Sequence, residues 1–287
     1  MGTDGTTETP MKEIPDSVIA SIGEGLLNFL VPILAIPQCG SEPDIKLIGS
    51  GTLVTISDSH YILTAAHVWD AIERSGEIHL ALPTRRPSRF TMLPDEITPK
   101  VLWNGSSAEW GPDLALLEIP LARVGTIEAR RSFLNLSKQK AELVDQPPKI
   151  EKGFWVVTGM VEVQSSVQRF QENKTLMASV HSQAFCGGIQ QTHERQSYDY
   201  FDTGAELHLP GVPNSFGGVS GGGLWQADLS INKEGTVSWD GKRHLRGVAF
   251  WESPIADQRR AIRCHGPRSL YDVAWSEWGL PNEPVGG

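Results

Sequence analysis

The chain has 287 residues, of which 39% are hydrophobic and 21% charged, a composition that suits a globular protein built as one large all-β unit or two small ones. Its net charge of −9 leaves nothing to neutralise phosphates at scale and argues against a nucleic-acid partner. The 3 cysteines, Cys39, Cys186 and Cys264, are odd in number and scattered, which is no disulfide framework.

In chain order, residues 1–13 are polar and read as a loose segment. From Asp16, a candidate N-cap, apolar residues recur at Val18, Ile19, Ile22, Leu26 and Phe29. That spacing predicts an amphipathic helix with one buried face. It favours a helix packed on the surface of a larger unit over a docking element. The apolar stretch from Leu26 to Ile36 is too short to span a bilayer and is interrupted by Asn28 and Pro32. The acidic residues before it also oppose a signal-peptide reading. No membrane partner is expected.

Short β-rich runs follow: Leu30–Ile36, Ile45–Ile56, Glu77–Leu82 and Leu114–Ile119. A turn at Ser57-Asp58-Ser59-His60 precedes the run leading to His67. Residues 124–152 are polar, include Pro147-Pro148, and read as a connector. The same style then resumes at Phe154–Val161, Thr175–Phe185, Gly223–Ala227 and Leu245–Trp251, and residues 268–278 read as a closing helix. The expected division is an N-terminal segment and helix (1–29), a first β-barrel (30–123), the connector (124–152), a second β-barrel (153–266), and a C-terminal helix and tail (267–287).

Three motifs carry chemistry: Leu63-Thr64-Ala65-Ala66-His67, Asp113-Leu114-Ala115-Leu116-Leu117 and Gly218-Val219-Ser220-Gly221-Gly222. A serine hydroxyl needs a neighbouring base to become a nucleophile, and imidazole titrates near neutrality. A carboxylate on the far ring nitrogen fixes the tautomer and stabilises the imidazolium. These residue types suggest Ser220 as nucleophile, His67 as base and Asp113 as the orienting group. Glycines around Ser220 allow a sharp turn in which the N–H groups of Gly218 and Ser220 converge as an oxyanion hole.

As a set, these motifs resemble those of the trypsin/chymotrypsin-like serine peptidases, in particular the bacterial trypsin-like type. Thr64-Ala65-Ala66-His67 is similar to the histidine motif, and Gly49-Ser50-Gly51-Thr52-Leu53-Val54 to the strand before it. Gly247-Val248-Ala249-Phe250-Trp251 resembles the strand that follows the serine and flanks the substrate. The resemblance implies an all-β, chymotrypsin-like double β-barrel with an N-terminal and a C-terminal helix. It also implies a serine endopeptidase acting on protein or peptide substrates without cofactor or metal. Secreted relatives carry a cystine beside the histidine; Val68 stands there instead, so the expected compartment is the reducing cytoplasm.

Departures from the family pattern carry further expectations. Val219 replaces the aspartate that pairs with a freshly cut N-terminus, which argues against activation by trimming. Phe250 replaces the serine that supports the catalytic aspartate. The resemblance puts Asn214 at the floor of the substrate pocket, with Phe250, Trp251 and Glu252 beside it. Glu252 is a candidate charge at the rim, Ala249 argues against a glutamate preference, and the residue preferred at the cut stays open. The glycine-rich segment 217–223 is flexible enough to collapse, so a regulatory protein partner or a substrate is expected to order it.

Rival readings exist. Asp70 competes with Asp113 by sequence proximity to His67. Gly218-Val219-Ser220-Gly221-Gly222 also satisfies the nucleophile elbow of an α/β-hydrolase esterase, although Gly221-Gly222-Gly223 is poor helix material. Phe185-Cys186-Gly187-Gly188 resembles the cysteine motif of viral chymotrypsin-like peptidases. A non-catalytic binding module on a peptidase fold is the alternative from another class. The remaining histidines, His265 among them, read as surface or structural, without the paired spacing of a zinc site.

Overall fold

The computed structural model describes residues 14–35, 46–75, 77–82, 90–105, 109–145, 149–170, 175–179 and 182–281. The polar N-terminal segment, Ile36, Cys39, the Pro147-Pro148 pair and the last six residues lie outside them. Among the described residues, no helix is long and apolar enough to cross a membrane.

Two antiparallel sheets account for most of the structure. The first contains β1 (Leu30–Ala35), β2 (Lys46–Ile56), β3 (Ser59–Thr64), β4 (Ile78–Leu80), β5 (Thr91–Met92), β6 (Thr98–Trp103), β7 (Asp113–Glu118) and β8 (Leu134–Asn135). Its order is β5-β4-β1-β2-β3-β7-β6, and β8 pairs with β2 in parallel. The second half contains β9 (Phe154–Met160), β10 (Ser166–Phe170), β11 (Thr175–Ser179), β12 (Ser182–Cys186), β13 (Ile189–Arg195), β14 (Tyr198–Glu206), β15 (Gly223–Ile231), β16 (Val237–Glu252) and β17 (Arg259–His265). Its sheet runs β12-β9-β15-β16-β17-β14-β13, with β10 and β11 forming a separate hairpin. This is the all-β, chymotrypsin-like double-barrel architecture expected from the sequence.

Near-continuous apolar runs produce the central strands. All six residues of β1 and all seven of β9 are buried, as in strands covered on both faces. Val31, Ile33, Leu53, Ile62 and Leu117 anchor one core, in the first half. Trp155, Val157, Leu224 and Ile262 anchor another, in the second. A third cluster joins Ile22 and Leu26 of the N-terminal helix to Trp225, Leu245, Tyr271 and Trp275.

That helix, α1 (Asp16–Leu27), packs against β9, β12 and β16 of the second half, so its apolar face is covered within the chain. Pro15, not Asp16, holds the cap position, and Asp16 lies in the first turn. The expected single run Thr175–Phe185 divides into β11 and β12, which pair in different sheets. The polar connector is not irregular. It carries most of α3 (Leu121–Glu128), then β8, then α4 (Leu136–Asp145). A further helix, α2 (Ala66–Ser75), follows β3 directly and buries Ala66, Val68, Trp69 and Ile72. The last helical segment among the described residues is a π-helical turn, Ser269–Ala274, continued by Trp275–Glu277.

Candidate active site

Asp113 opens β7 and is 1% exposed. Its Oδ2 lies 2.7 Å from Nδ1 of His67, and its Oδ1 accepts the His67 backbone N–H at 3.0 Å. His67 is the second residue of α2. A helix leaves its first N–H groups without intrahelical acceptors and presents partial positive charge at that end. The Asp113 carboxylate therefore serves two purposes: one oxygen satisfies the start of α2, and the other fixes the His67 ring. Asp70, the rival carboxylate, instead pairs with Arg74 on the same helix.

Ser220 lies in the turn immediately before β15. No helix follows it, which removes the α/β-hydrolase elbow. Gly218 and Gly221 adopt φ of +89° and +90°, a backbone region that glycine enters without strain. A side chain at Gly221 would also collide with Ser50 O at 1.9 Å.

The carbonyls of this loop are all held from within the chain. Gly217 O accepts from Glu162 N and Val219 O from Gly222 N, both at 2.8 Å. Gly218 O accepts from Ser50 Oγ at 2.7 Å, and Ser220 O from Ser50 N at 2.8 Å. Ser50 Oγ also accepts the Met160 N–H at 2.8 Å. The loop N–H groups of Gly217, Val219, Gly221 and Gly222 are likewise engaged, by Ser215 Oγ, Phe216 O, Ala249 O and Val219 O. Among the described residues, the N–H groups of Gly218 and Ser220 have no acceptor. The glycine-rich segment is held by these internal bonds, and Ser50 of β2 holds two of its carbonyls across the two halves.

His67 and Ser220 line one cavity of about 290 Å³. Ser220 Oγ donates to Phe250 O at 3.5 Å, and no hydrogen bond joins it to His67. Phe250, Trp251 and Glu252 line the same cavity, together with Phe216, Val219, Ala249 and Ile262. Asn214, the expected floor, is exposed and outside that lining. Glu252 is not a free charge. Its carboxylate accepts from Phe216 N at 2.7 Å and Ser215 Oγ at 3.3 Å, and it pairs with Arg260 at 2.5 Å.

Phe250 is the bulged residue where the pairing of β16 with β17 shifts between Ala249 and Trp251. A bulge re-aims a side chain. Here the phenyl ring stacks on His265, with centroids 4.4 Å apart. His265 is fully buried, and its Nε2 accepts the backbone N–H of Asp113 at 3.1 Å. Burial holds its pKa down to about 3, against a weaker upward pull from Asp113. Cβ at Gly111 would stand 2.8 Å from Nε2, so only glycine there lets the imidazole approach. Next to it, Arg263 bonds both oxygens of Asp202 and reaches Glu109, fastening the loop before Asp113 to the second half.

Nothing in the sequence assigns a role to Arg260 or Arg263, His265 reads there only as surface or structural, and Ser50 lies within the Gly49–Val54 motif without standing out from it. Cys186 lies at the end of β12, outside the cavity. Burial pushes its thiol up to about 11, which suppresses the thiolate a nucleophile needs.

No family model matches the sequence, and no curated protein does. Among solved structures, the crystal structure of the active form of Rv3671c protease from M. tuberculosis aligns over 100% of this chain and 97% of that chain, at 16% identity and a TM-score of 0.46.

Proposed function

We propose that the chain is a trypsin-like serine endopeptidase with a His67/Asp113/Ser220 triad. The observation that carries this reading is the double engagement of His67 by the buried Asp113 carboxylate, with Ser220 on the same cavity. An Nδ1–H donated to Asp113 leaves Nε2 of His67 as the basic nitrogen.

In the proposed reaction, Ser220 Oγ rotates from Phe250 O toward His67 Nε2. It then attacks the peptide carbonyl while Nε2 takes its proton. The oxyanion accepts hydrogen bonds from the N–H groups of Gly218 and Ser220, which is supported by their lack of any acceptor in the loop. His67 gives its proton to the leaving amine, and the acyl group remains on Ser220. Water, deprotonated by His67, releases the acid and restores the serine. No step requires a cofactor or metal. The proposed compartment is the cytoplasm, in keeping with Val68 at the position beside His67 where secreted relatives carry a cystine.

Labelling of the isolated protein by a fluorophosphonate, together with cleavage of a peptide library, tests the reading. Both are expected for the wild type and lost in Ser220→Ala. Absence of labelling and cleavage in the wild type would favour a non-catalytic binding module instead.

A further inference from the structure

We propose that the cavity beside Ser220 takes an uncharged, apolar side chain, the one on the acyl side of the bond to be cut. Its role as a substrate site rests on the peptidase reading; its chemistry rests on its walls. Phe216, Val219, Ala249 and Ile262 are each at most 3% exposed and have hydrocarbon side chains, and they share the lining with the polar His67, Ser220 and Glu252. Burying an apolar side chain against such walls is favourable in proportion to the area removed from water.

The one ionised group on the lining is Glu252, and its charge is already matched. Arg260 lies 2.5 Å from Oε2, and Phe216 N and Ser215 Oγ occupy the carboxylate further. The pair is half-buried, at 16% exposure for Arg260 and 31% for Glu252. A substrate ammonium or guanidinium entering here would lose its hydration and find no net negative charge. A substrate carboxylate would face Glu252 itself. An unpaired charge in an apolar site is strongly disfavoured, so basic and acidic residues are both rejected. Glu252 and Arg260 act as a lock: each hides the other's charge from the substrate. Their neighbourhood is built into the fold, since β16 ends at Glu252 opposite Ile262 of β17, two residues beyond Arg260.

The lock predicts opposite outcomes for its two halves. Removing the cation exposes a carboxylate that would attract Lys or Arg; removing the anion exposes a guanidinium that would attract Glu. The test uses full-length Ser220→Ala protein and acetylated tetrapeptide acids identical except for a C-terminal Leu, Lys or Glu, with affinities read by calorimetry. The Leu peptide should bind at least about tenfold more tightly than either charged peptide. Adding Arg260→Leu should raise affinity for the Lys peptide by at least about tenfold, and adding Glu252→Gln, which keeps the acceptor for Phe216 N, should do so for the Glu peptide. Equal or tighter binding of the Lys or Glu peptide to the parent overturns the proposal, as does a lack of measurable binding by all three. If one charge variant fails to fold, the parent and the other variant still decide. Fluorophosphonate labelling of the wild type, which involves no such side chain, reports separately whether Ser220 is reactive.

Discussion

The backbone N–H of Asp113 donates to Nε2 of His265, 152 residues further along the chain. A residue of the second half thereby fixes the start of β7, on which the orientation of His67 depends. Accepting that hydrogen bond places the imidazole proton on Nδ1, which has no partner among the described residues. Replacement by Leu removes the acceptor and strands a buried N–H, at a cost of about 1–3 kcal/mol. On the proposed peptidase reading, His265→Leu should lower kcat by roughly tenfold to a hundredfold with little change in KM, because the cavity walls stay in place while Asp113 and His67 shift. His265→Gln, which supplies an amide oxygen, should recover part of that loss. Steady-state kinetics check the split, and the low-field proton resonance of the His67–Asp113 hydrogen bond should move in the Leu variant. An unchanged resonance with unchanged kcat would remove the positioning role.

The same imidazole makes stability depend on pH. Its pKa is lowered from 6.5 to about 3 by burial. Between those values the unfolded chain binds a proton that the folded chain refuses, so stability falls as pH falls, by about 1.4 kcal/mol per pH unit. Above pH 6.5 both states are neutral and the effect vanishes. Urea unfolding at pH 7, 5.5 and 4.5 should show the wild type losing stability faster than His265→Gln, which lacks the group. Parallel losses in the two proteins would rule this out.

Asp113 should separate its two duties under mutation. Asp113→Asn keeps an oxygen to accept the His67 N–H but presents an amide N–H to Nδ1. That reverses the ring tautomer and should lower kcat on the order of 10⁴-fold, with stability nearly unchanged. Asp113→Ala should lose comparable activity and also about 1 kcal/mol or more of stability, since the start of α2 loses its acceptor. Thermal melts beside kinetics distinguish the pair.

What the sequence discloses of this site follows from how local each requirement is. His67, Asp113 and Ser220 stand out because each needs a fixed residue type in a fixed few-residue context. The central strands stand out because burial on both faces demands an apolar run. His265 does not: a lone histidine in Arg-Cys-His-Gly carries no sign of the backbone N–H it will meet. The Glu252–Arg260 pair is equally silent, because it forms only once β16 and β17 lie side by side. α3 is hidden for another reason. Val124, Gly125 and Thr126 are weak helix formers, and the helix forms with Val124 and Ile127 buried against the core. Asn214 is exposed and lies outside the lining of the cavity that holds Ser220, and nothing in its local sequence signals that placement.

Ser50 offers the sharpest test of whether the nucleophile loop is preset. Its side chain is fully buried, donates to Gly218 O at 2.7 Å and accepts from Met160 N at 2.8 Å. Thr64 Oγ1 in turn donates to Ser50 O at 2.7 Å, tying β3 into the same arrangement. Ser50→Ala leaves the backbone bond to Ser220 O intact but strands the half-buried Gly218 carbonyl and the buried Met160 N–H. The expected destabilisation is about 1–3 kcal/mol for each. With Gly218 O released, the peptide linking it to Val219 is held only through the Val219 N–H on Phe216 O, and the Cα of Gly218, which carries the peptide of the proposed oxyanion donor on its other side, is less firmly placed. A weakened oxyanion donor lowers kcat on the order of 10²-fold. Ser50→Ala should therefore slow fluorophosphonate labelling and turnover together while leaving affinity for a peptide acid in the Ser220→Ala background almost unchanged. A variant that loses stability yet labels at the wild-type rate would show that the loop keeps its shape without Ser50.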